Sequence, residues 1–275
     1  MAEFTTQDGI GIHYEDRGEG HPLLFVHGWA MSGRVWHFQI KAFEGSNRVI
    51  VPDLRGHGLS GIPAGAGFAM NELVADLAAL FERLELQRTT LVGWSLGAQV
   101  ALEAFPVLRE RLAALVLVGS TPRFTSAEGF GYGLSPADVR GMALRLKRDH
   151  SRAMGDFFKG MFAPGEMTPE QYQRVVKEIV IPSRQPSPET ALKALGALAE
   201  ADQRPILPQV DRPVLLIHGS QDTICLPSAS GFMAKILPDA VLEPMEGCGH
   251  APFMTRPGEF NSLLTRFLER AYGRD

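Results

Sequence analysis

The stretch Thr90-Leu91-Val92-Gly93-Trp94-Ser95-Leu96-Gly97 places a serine between a short apolar run and a helical pattern that starts near Gln99. A G-x-S-x-G pentapeptide alone is a weak signal, but a strand before it and a helix after it are the context of a nucleophile elbow. Small residues let strand and helix approach closely and leave the serine on a strained turn with its hydroxyl projecting. We therefore predict that Ser95 is a nucleophile; the alternative is a serine that only caps the helix.

Apolar runs like the one before Ser95 recur along the chain. Such runs are typical of strands that are buried on both faces. They lie at residues 23–26, 49–51, 90–92, 115–118, 214–217 and 240–242. Helical periodicity separates several of them, over residues 70–84, 99–105 and 259–271. This alternation predicts an α/β fold with a mostly parallel central sheet flanked by helices.

The alternation stops between residues 121 and 208, where prolines interrupt helical patterns and no strand-like run occurs. A chain of 275 residues is long enough for one large domain that carries an insertion. We predict a core made of residues 1–120 and 209–275, with residues 121–208 inserted as a helical cap.

A serine hydroxyl needs a base and a group that orients the base, because it is barely nucleophilic at neutral pH. His250 follows the last predicted strand in a glycine-rich loop, and Asp222 follows the strand at 214–217. Both lie where ligands bind in open α/β sheets, beyond the carboxyl ends of the strands. The order Ser95, Asp222, His250 is the order nucleophile, acid, base. We predict that these three residues form a catalytic triad.

Other histidines and acids compete for these roles. We interpret His27 and His57 as residues that shape glycine-rich turns rather than transfer protons. His218 precedes the acid and is interpreted as a structural residue at a strand end. Asp53 and Asp202 are alternative acids, but neither stands between nucleophile and base at the end of a late strand.

Two backbone N–H groups are predicted to bind the oxyanion that forms during attack. Leu96 opens the helix after the nucleophile, and Trp29 lies in the turn after the strand at 23–26. The side chain of Trp29 is also a candidate wall of the acyl pocket, with simple core packing as the alternative.

These features together resemble the α/β-hydrolase superfamily across the whole chain. Within it, the likeness points to the pimeloyl-acyl-carrier-protein methyl ester esterases of biotin synthesis. It rests on the segments 27–29, 93–97, 119–124 and 250–253 and on a helical cap of similar size. The chain departs from that family at Arg55, where proline is more common, and at Gly247-Cys248-Gly249, where small alanines are common. These departures leave the chemistry intact and bear on substrate identity.

The resemblance implies a serine carboxylesterase that hydrolyses the methyl ester of pimeloyl-acyl carrier protein and releases methanol, with no metal or organic cofactor. A generic small-ester carboxylesterase or a carbon–carbon bond hydrolase would use the same triad. A serine at the elbow argues against dehalogenase and epoxide-hydrolase chemistry, which needs a carboxylate nucleophile. The alternative outside the enzymes is a non-catalytic receptor that binds a small ligand in the same pocket.

The predicted cap contains an amphipathic stretch. On one continuous helix, apolar residues including Phe157 and Met161 would share a face, opposite the basic residues Arg145, Arg148, Arg152 and Lys159. One face would line an acyl channel while the other meets an acidic carrier protein, and the resemblance implies the same contacts. The alternative is a solvated helix whose apolar side chains form the core of the cap itself.

Charge and composition limit the partners. The chain has 27 Lys and Arg against 31 Asp and Glu, a net charge of −4 at pH 7, so it lacks the positive field that nucleic-acid binding normally requires. Residues 140–159 nevertheless carry a local charge of +4. The sequence shows neither a signal-peptide pattern nor an apolar run long enough to span a membrane. We therefore expect a cytoplasmic monomer without membrane or nucleic-acid partners.

Overall fold

The computed structural model describes residues 2–62 and 67–273. These residues form an eight-stranded sheet in the spatial order β1-β2-β4-β3-β5-β6-β7-β8. The strands are β1 (Ala2–Thr5), β2 (Gly11–Arg17), β3 (Pro22–Val26), β4 (Arg48–Pro52), β5 (Thr89–Trp94), β6 (Leu112–Val118), β7 (Val214–Gly219) and β8 (Ala240–Met245). The pairs β1–β2 and β2–β4 are antiparallel, and all other neighbouring pairs are parallel. The predicted α/β fold with a mostly parallel sheet is confirmed. The alternation of apolar and polar residues at 11–15 predicts β2 in addition to the six runs named above, whereas β1 was not predicted.

Helices cover both faces of the sheet. Those that alternate with its strands are α1 (His37–Phe43), α2 (Met70–Arg83), α3 (Leu96–Leu108), α8 (Pro227–Ala234), α9 (Pro252–Thr255) and α10 (Pro257–Tyr272). Residues 121–208, called the inserted segment below, connect β6 to β7. This segment contains α4 (Pro136–Arg148), α5 (His150–Gly160), α6 (Pro169–Val175) and α7 (Pro188–Glu200).

The apolar runs are unbroken because each strand contributes to two separate core clusters. Successive side chains of a strand point to opposite faces of the sheet. In β3, Leu24 and Val26 belong to the cluster that contains residues of α2 and α3. Leu23 and Phe25 belong to the cluster that contains residues of α1 and α10. A sheet covered on both faces needs apolar residues at successive positions of its strands. Because β3 to β8 run parallel, their carboxyl ends all lie at the same edge of the sheet.

The single amphipathic helix expected over residues 145–161 is wrong. The helix breaks at Asp149, which has an extended backbone and separates α4 from α5. The carboxylate of Asp149 accepts a hydrogen bond from the Arg152 backbone N–H at 3.0 Å, and therefore caps the new helix. Arg145 and Arg148 consequently lie on α4, whereas Arg152 lies on α5. The signal for this break was the aspartate itself, a preferred N-cap residue.

The longest helix in the described part of the chain is α10, with 16 residues. No helix within residues 2–62 and 67–273 is both long and apolar enough to cross a membrane.

Candidate active site

Ser95 occupies a sharp turn between β5 and α3. Its φ of 55° lies in the left-handed region that non-glycine residues rarely adopt, which marks a strained backbone. A Cβ atom on Gly93 would collide with the backbone of Gly97, and one on Gly97 would collide with the carbonyl of Val26. Only glycine at these positions lets the turn, the helix and strand β3 pack this closely. The serine is thus held at the carboxyl edge of the sheet.

His250 lies beside this turn and contacts Asp222. Its Nδ1 is 2.6 Å from Oδ2 of Asp222, and both side chains are buried. Trp94, the neighbour of Ser95, donates a hydrogen bond from its indole N–H to the carbonyl oxygen of His250 at 2.9 Å. The other ring nitrogen of His250, Nε2, is buried without a hydrogen-bond partner among the described residues. A neutral imidazole bound at Nδ1 by a carboxylate has an Nε2 that is able to accept a proton.

Backbone donors hold the carboxylate of Asp222 from its other side. Its Oδ1 accepts hydrogen bonds from the N–H groups of Ile224 at 2.8 Å and Cys225 at 3.0 Å. Burial by itself would raise the pKa of Asp222, but the nearby His250 and His218 hold the pKa of this carboxyl well below its usual range. Asp222 is therefore a carboxylate at neutral pH.

His218 is a second histidine that contacts Asp222, and this contact was not predicted from the sequence. Its Nε2 lies 2.8 Å from the carbonyl oxygen of Cys225 and 3.1 Å from Oδ2 of Asp222. Since a carbonyl oxygen only accepts hydrogen bonds, Nε2 of His218 carries a proton. Its Nδ1 is 2.6 Å from the hydroxyl of Ser230. The available signal was its position, four residues before the acid and at the end of β7.

Trp29 follows β3 and faces the same edge. Its indole N–H donates to the carbonyl of Ala191 in α7 at 2.9 Å, and its ring packs edge-on against Phe157 with centroids 4.7 Å apart. A Cβ atom on Gly28 would lie 3.2 Å from Cβ of Ser95, so this loop closely approaches the nucleophile turn. Leu96 is the first residue of α3, where backbone N–H groups lack partners within the helix. Both predicted oxyanion donors therefore lie next to Ser95 in the chain or in space.

The competing histidines near this loop hold backbone groups. Nε2 of His27 accepts a hydrogen bond from the Leu54 N–H at 2.9 Å, which leaves the proton on Nδ1 to be donated to the Gly28 carbonyl at 2.8 Å. Burial, and next the nearby His27, lower the pKa of His57 to about 3. In the described part of the chain, neither the His27 nor the His57 imidazole contacts Asp222.

The competing acids also lie elsewhere. Asp53 accepts hydrogen bonds from the N–H groups of Gly33 at 2.7 Å and Leu59 at 2.9 Å. Asp202 forms ion pairs with Arg123 and Arg204, which contribute to lowering its pKa to about 2.

A cavity of about 470 Å³ lies between the inserted segment and the core. Trp29 and Ile224 of the core line it, and Phe157 is part of its wall. Apolar side chains of α4 and α5 also line it, namely Met142, Leu146, Ala153 and Met154, and its polar lining includes Asp138, Arg145 and Asp156. Met161 follows the end of α5, its side chain is fully buried, and it is absent from the described residues that line this cavity. The expectation that Met161 shares a face with Phe157 depended on a helix that continues past Gly160.

A groove of about 410 Å³, called the basic groove below, adjoins this cavity. Both are lined by Arg145, Ala153 and Asp156, and the groove is completed by Arg148, Asp149 and Arg152. Three of the four predicted docking cations therefore meet here despite the break in the helix. Lys159, the fourth, lines a separate apolar cavity beyond Phe158 instead.

These residues have the chemical groups that acyl transfer requires. At the sheet edge the imidazole of His250 contacts the carboxylate of Asp222, its Nε2 is without a hydrogen-bond partner among the described residues, and the hydroxyl of Ser95 belongs to the adjoining turn. The apolar cavity reaches this region at Trp29. Within residues 2–62 and 67–273, no group of three or more His, Cys, Asp or Glu side chains is arranged to hold a metal ion.

Comparison with known proteins gives matches over most of the chain. Pimeloyl-[acyl-carrier protein] methyl ester esterase from Nitrosomonas europaea is 33% identical over 253 residues, covering 92% of this chain and 98% of that protein. An esterase from Exiguobacterium antarcticum superposes with a TM-score of 0.90 at 26% identity, covering 98% of this chain and 99% of that one. A bromoperoxidase from Bacillus anthracis superposes with a TM-score of 0.88 at 29% identity, covering 98% and 100%.

The family model of the alpha/beta hydrolase fold matches residues 21–257. This range includes six of the eight strands in full, from β3 to β8, together with the elbow around Ser95 and the whole inserted segment. The sequence-based assignment to the superfamily is confirmed, and the chain belongs to the alpha/beta hydrolase family.

Proposed function

We propose that this protein is a serine carboxylesterase that hydrolyses the methyl ester of pimeloyl-acyl carrier protein to the free carboxylate and methanol. In this proposal the inserted segment is a cap on a core made of residues 1–120 and 209–275. The working form is a cytoplasmic monomer that needs no cofactor. The similarity to esterases of that name over almost their full length supports the substrate.

The observation that carries the proposal is the continuity between the apolar cavity and the basic groove. An acyl chain attached to a carrier must pass from an apolar site to the surface where the carrier binds. Trp29 and Arg145 both line the cavity, and Arg145, Ala153 and Asp156 also line the groove. Arg145 and Arg148 form no ion pair with any carboxylate in the described part of the chain, so their charge is available to an acidic partner.

In the acylation step, Oγ of Ser95 attacks the ester carbonyl while Nε2 of His250 takes its proton. Asp222 holds the imidazole by its Nδ1–H and stabilises the imidazolium that forms. The backbone N–H groups of Trp29 and Leu96 donate to the oxyanion. When the tetrahedral intermediate collapses, the imidazolium gives its proton to the departing methoxide, and methanol leaves.

The second half of the reaction uses the same groups with water. His250 takes a proton from a water molecule, whose oxygen attacks the acyl-enzyme carbonyl, and the oxyanion again forms between Trp29 and Leu96. Collapse returns the proton from His250 to Oγ of Ser95 and releases the acid. Trp29 and Phe157 are proposed to contact the acyl chain throughout.

Steady-state kinetics on three substrates test the proposed substrate. We expect kcat/KM for methyl pimeloyl-carrier protein to exceed that for free methyl pimelate by about tenfold or more, because electrostatic steering alone raises association rates by 10- to 1000-fold. Short p-nitrophenyl esters serve as the reference for generic esterase activity. Equal or higher kcat/KM for the free esters would instead identify a generic carboxylesterase.

The basic groove gives a second test of the carrier. We expect the double variant Arg148→Glu/Arg152→Glu to lower kcat/KM for the carrier-bound ester by about tenfold, within the range of electrostatic steering, and to leave turnover of free methyl pimelate unchanged. The loss should shrink at high ionic strength, because salt screens exposed charges.

The control for this test is Arg83→Glu/Arg266→Glu, which makes the same change of charge at exposed positions on α2 and α10. It should leave both substrates unaffected. A loss of equal size on carrier-bound and free ester in the groove variant would exclude this groove as the docking surface.

A further inference from the structure

A turn of the inserted segment, residues 161–166, packs against the loop that carries His250. The backbone N–H of His250 donates to the carbonyl oxygen of Met161 at 2.6 Å. Glu166 accepts two hydrogen bonds from the core, one from the Gly249 N–H to Oε2 at 2.9 Å and one from the Thr255 hydroxyl to Oε1 at 2.6 Å. Its Oε2 also accepts the N–H of Ala163 in its own turn at 2.6 Å. Glu166 thereby ties the inserted segment to both ends of the His250 loop.

The loop packs closely against its neighbours at this point. A Cβ atom on Gly249 would collide with the backbone of Met161 and Ala163 on one side. On the other side, a Cβ atom on Gly219 at the end of β7 would collide with the carbonyl of Gly249. The loop before His250 is thus enclosed between the sheet and the inserted segment. Removing the partner of a buried donor here leaves the donor unpaired, which favours movement of the loop toward another acceptor.

We propose that Glu166 is a positioning residue for His250, through which the inserted segment holds the catalytic base in its reactive orientation. This inference rests on the proposed role of His250 in the function above. The helix that lines the substrate cavity, α5, ends at Gly160, directly before Met161. Placement of this helix and placement of the base are therefore coupled through one short turn.

The carboxyl group of Glu166 acts here as a hydrogen-bond acceptor, so glutamine is a suitable rescue. The amide oxygen of Gln would accept the N–H groups of Gly249 and Ala163. Its NH₂ group would donate to the hydroxyl oxygen of Thr255, whose own proton would turn to the Pro252 carbonyl, 3.3 Å away. Alanine would remove all of these contacts.

The test compares Glu166→Ala with Glu166→Gln on a short p-nitrophenyl ester, which needs no carrier. We expect Glu166→Ala to lower kcat by about 10- to 100-fold with KM within about twofold, because a misplacement of about 1 Å at a catalytic group has effects of this size. Glu166→Gln should keep kcat within about threefold of wild type. The matched control is Glu170→Ala, an exposed carboxylate four residues further along the same segment.

Thermal unfolding and the rate of labelling by a fluorophosphonate complete the experiment. Labelling of Ser95 should slow in Glu166→Ala in proportion to kcat. Thr255→Val, which removes the contact to Oε1 of Glu166 and keeps both contacts to Oε2, should give a smaller loss in the same direction. Should Glu166→Ala fail to fold, Glu166→Asp replaces it; its shorter side chain cannot reach Gly249 and Thr255 together, and the same loss of kcat is expected.

Three outcomes would overturn the inference. They are wild-type kcat in Glu166→Ala, equal loss in Glu166→Ala and Glu166→Gln, and a raised KM with unchanged kcat. An error in the proposed function has a different signature. If His250 is not the base, His250→Ala keeps its turnover, whereas failure of the present inference leaves His250→Ala inactive and Glu166→Ala active. A wrong carrier substrate alters none of these measurements.

Discussion

Ser95→Ala is expected to lower kcat for ester hydrolysis by about 10⁶-fold, the loss seen when a serine hydrolase loses its nucleophile. The reason is that the proposed mechanism passes through an ester of the Ser95 hydroxyl. The strained backbone of Ser95 directs a single side chain to the carboxyl edge of the sheet, between the loop of Trp29 and the imidazole of His250. Hydrolysis of a p-nitrophenyl ester, with circular dichroism to establish folding, measures the loss.

The matched control is Ser262→Ala, an exposed serine on α10, which should keep full activity. In parallel, mass spectrometry of the fluorophosphonate-treated wild type should find the label on Ser95. A folded Ser95→Ala protein that retains full ester hydrolysis would refute the proposed mechanism. Such a result would favour a different nucleophile or a receptor that binds esters without turnover.

Asp222→Asn is expected to lower kcat by about 10⁴-fold, the size of loss found when the acid of a triad becomes an amide. The surrounding backbone dictates how the amide would sit. Because the N–H groups of Ile224 and Cys225 both donate to Oδ1, the amide oxygen must stay there. The NH₂ group then faces His250, whose Nδ1 has to become the acceptor. The proton of the imidazole moves to Nε2, which can no longer accept the proton of Ser95.

Kinetics on the same p-nitrophenyl ester measure this effect, with NMR of the imidazole nitrogens to identify the tautomer. Asp211→Asn is the control, since Asp211 is an exposed carboxylate whose partners are surface arginines. We expect it to retain wild-type turnover. Unchanged activity in Asp222→Asn would rule out this carboxylate as the group that orients the base.

Much of the fold could be predicted because local patterns agreed with the tertiary structure. Apolar runs identified six strands, and the glycines around Ser95 identified the turn where one strand meets a helix. The positions of Asp222 and His250 after late strands were enough to predict that they meet, because parallel strands end at a common edge. These inferences need only the order of residues along the chain.

Contacts that depend on the course of the inserted segment could not be predicted in this way. The break at Asp149 changed the helix to which Arg145 and Arg148 belong, and the end of α5 at Gly160 removed the reason for placing Met161 on the same helix face as Phe157. Glu166 meets Gly249 across 83 positions of sequence, and no periodicity signals such a contact. His218 was placed correctly at a strand end, but its hydrogen bonds depend on how the chain turns after β7.

The indole of Trp29 has a further consequence for the evolution and redesign of this enzyme. Its bond to Ala191 fastens the loop of Trp29 to α7, while Glu166 fastens the His250 loop to the turn after α5 in the same insertion. In the proposed mechanism the insertion is therefore a scaffold for the loops of one oxyanion donor and of the base, as well as a wall of the substrate cavity. A chimaera that grafts the inserted segment of another hydrolase onto this core would have to restore both attachments, so we expect substrate range to be easier to alter by changing side chains within the insertion than by exchanging it.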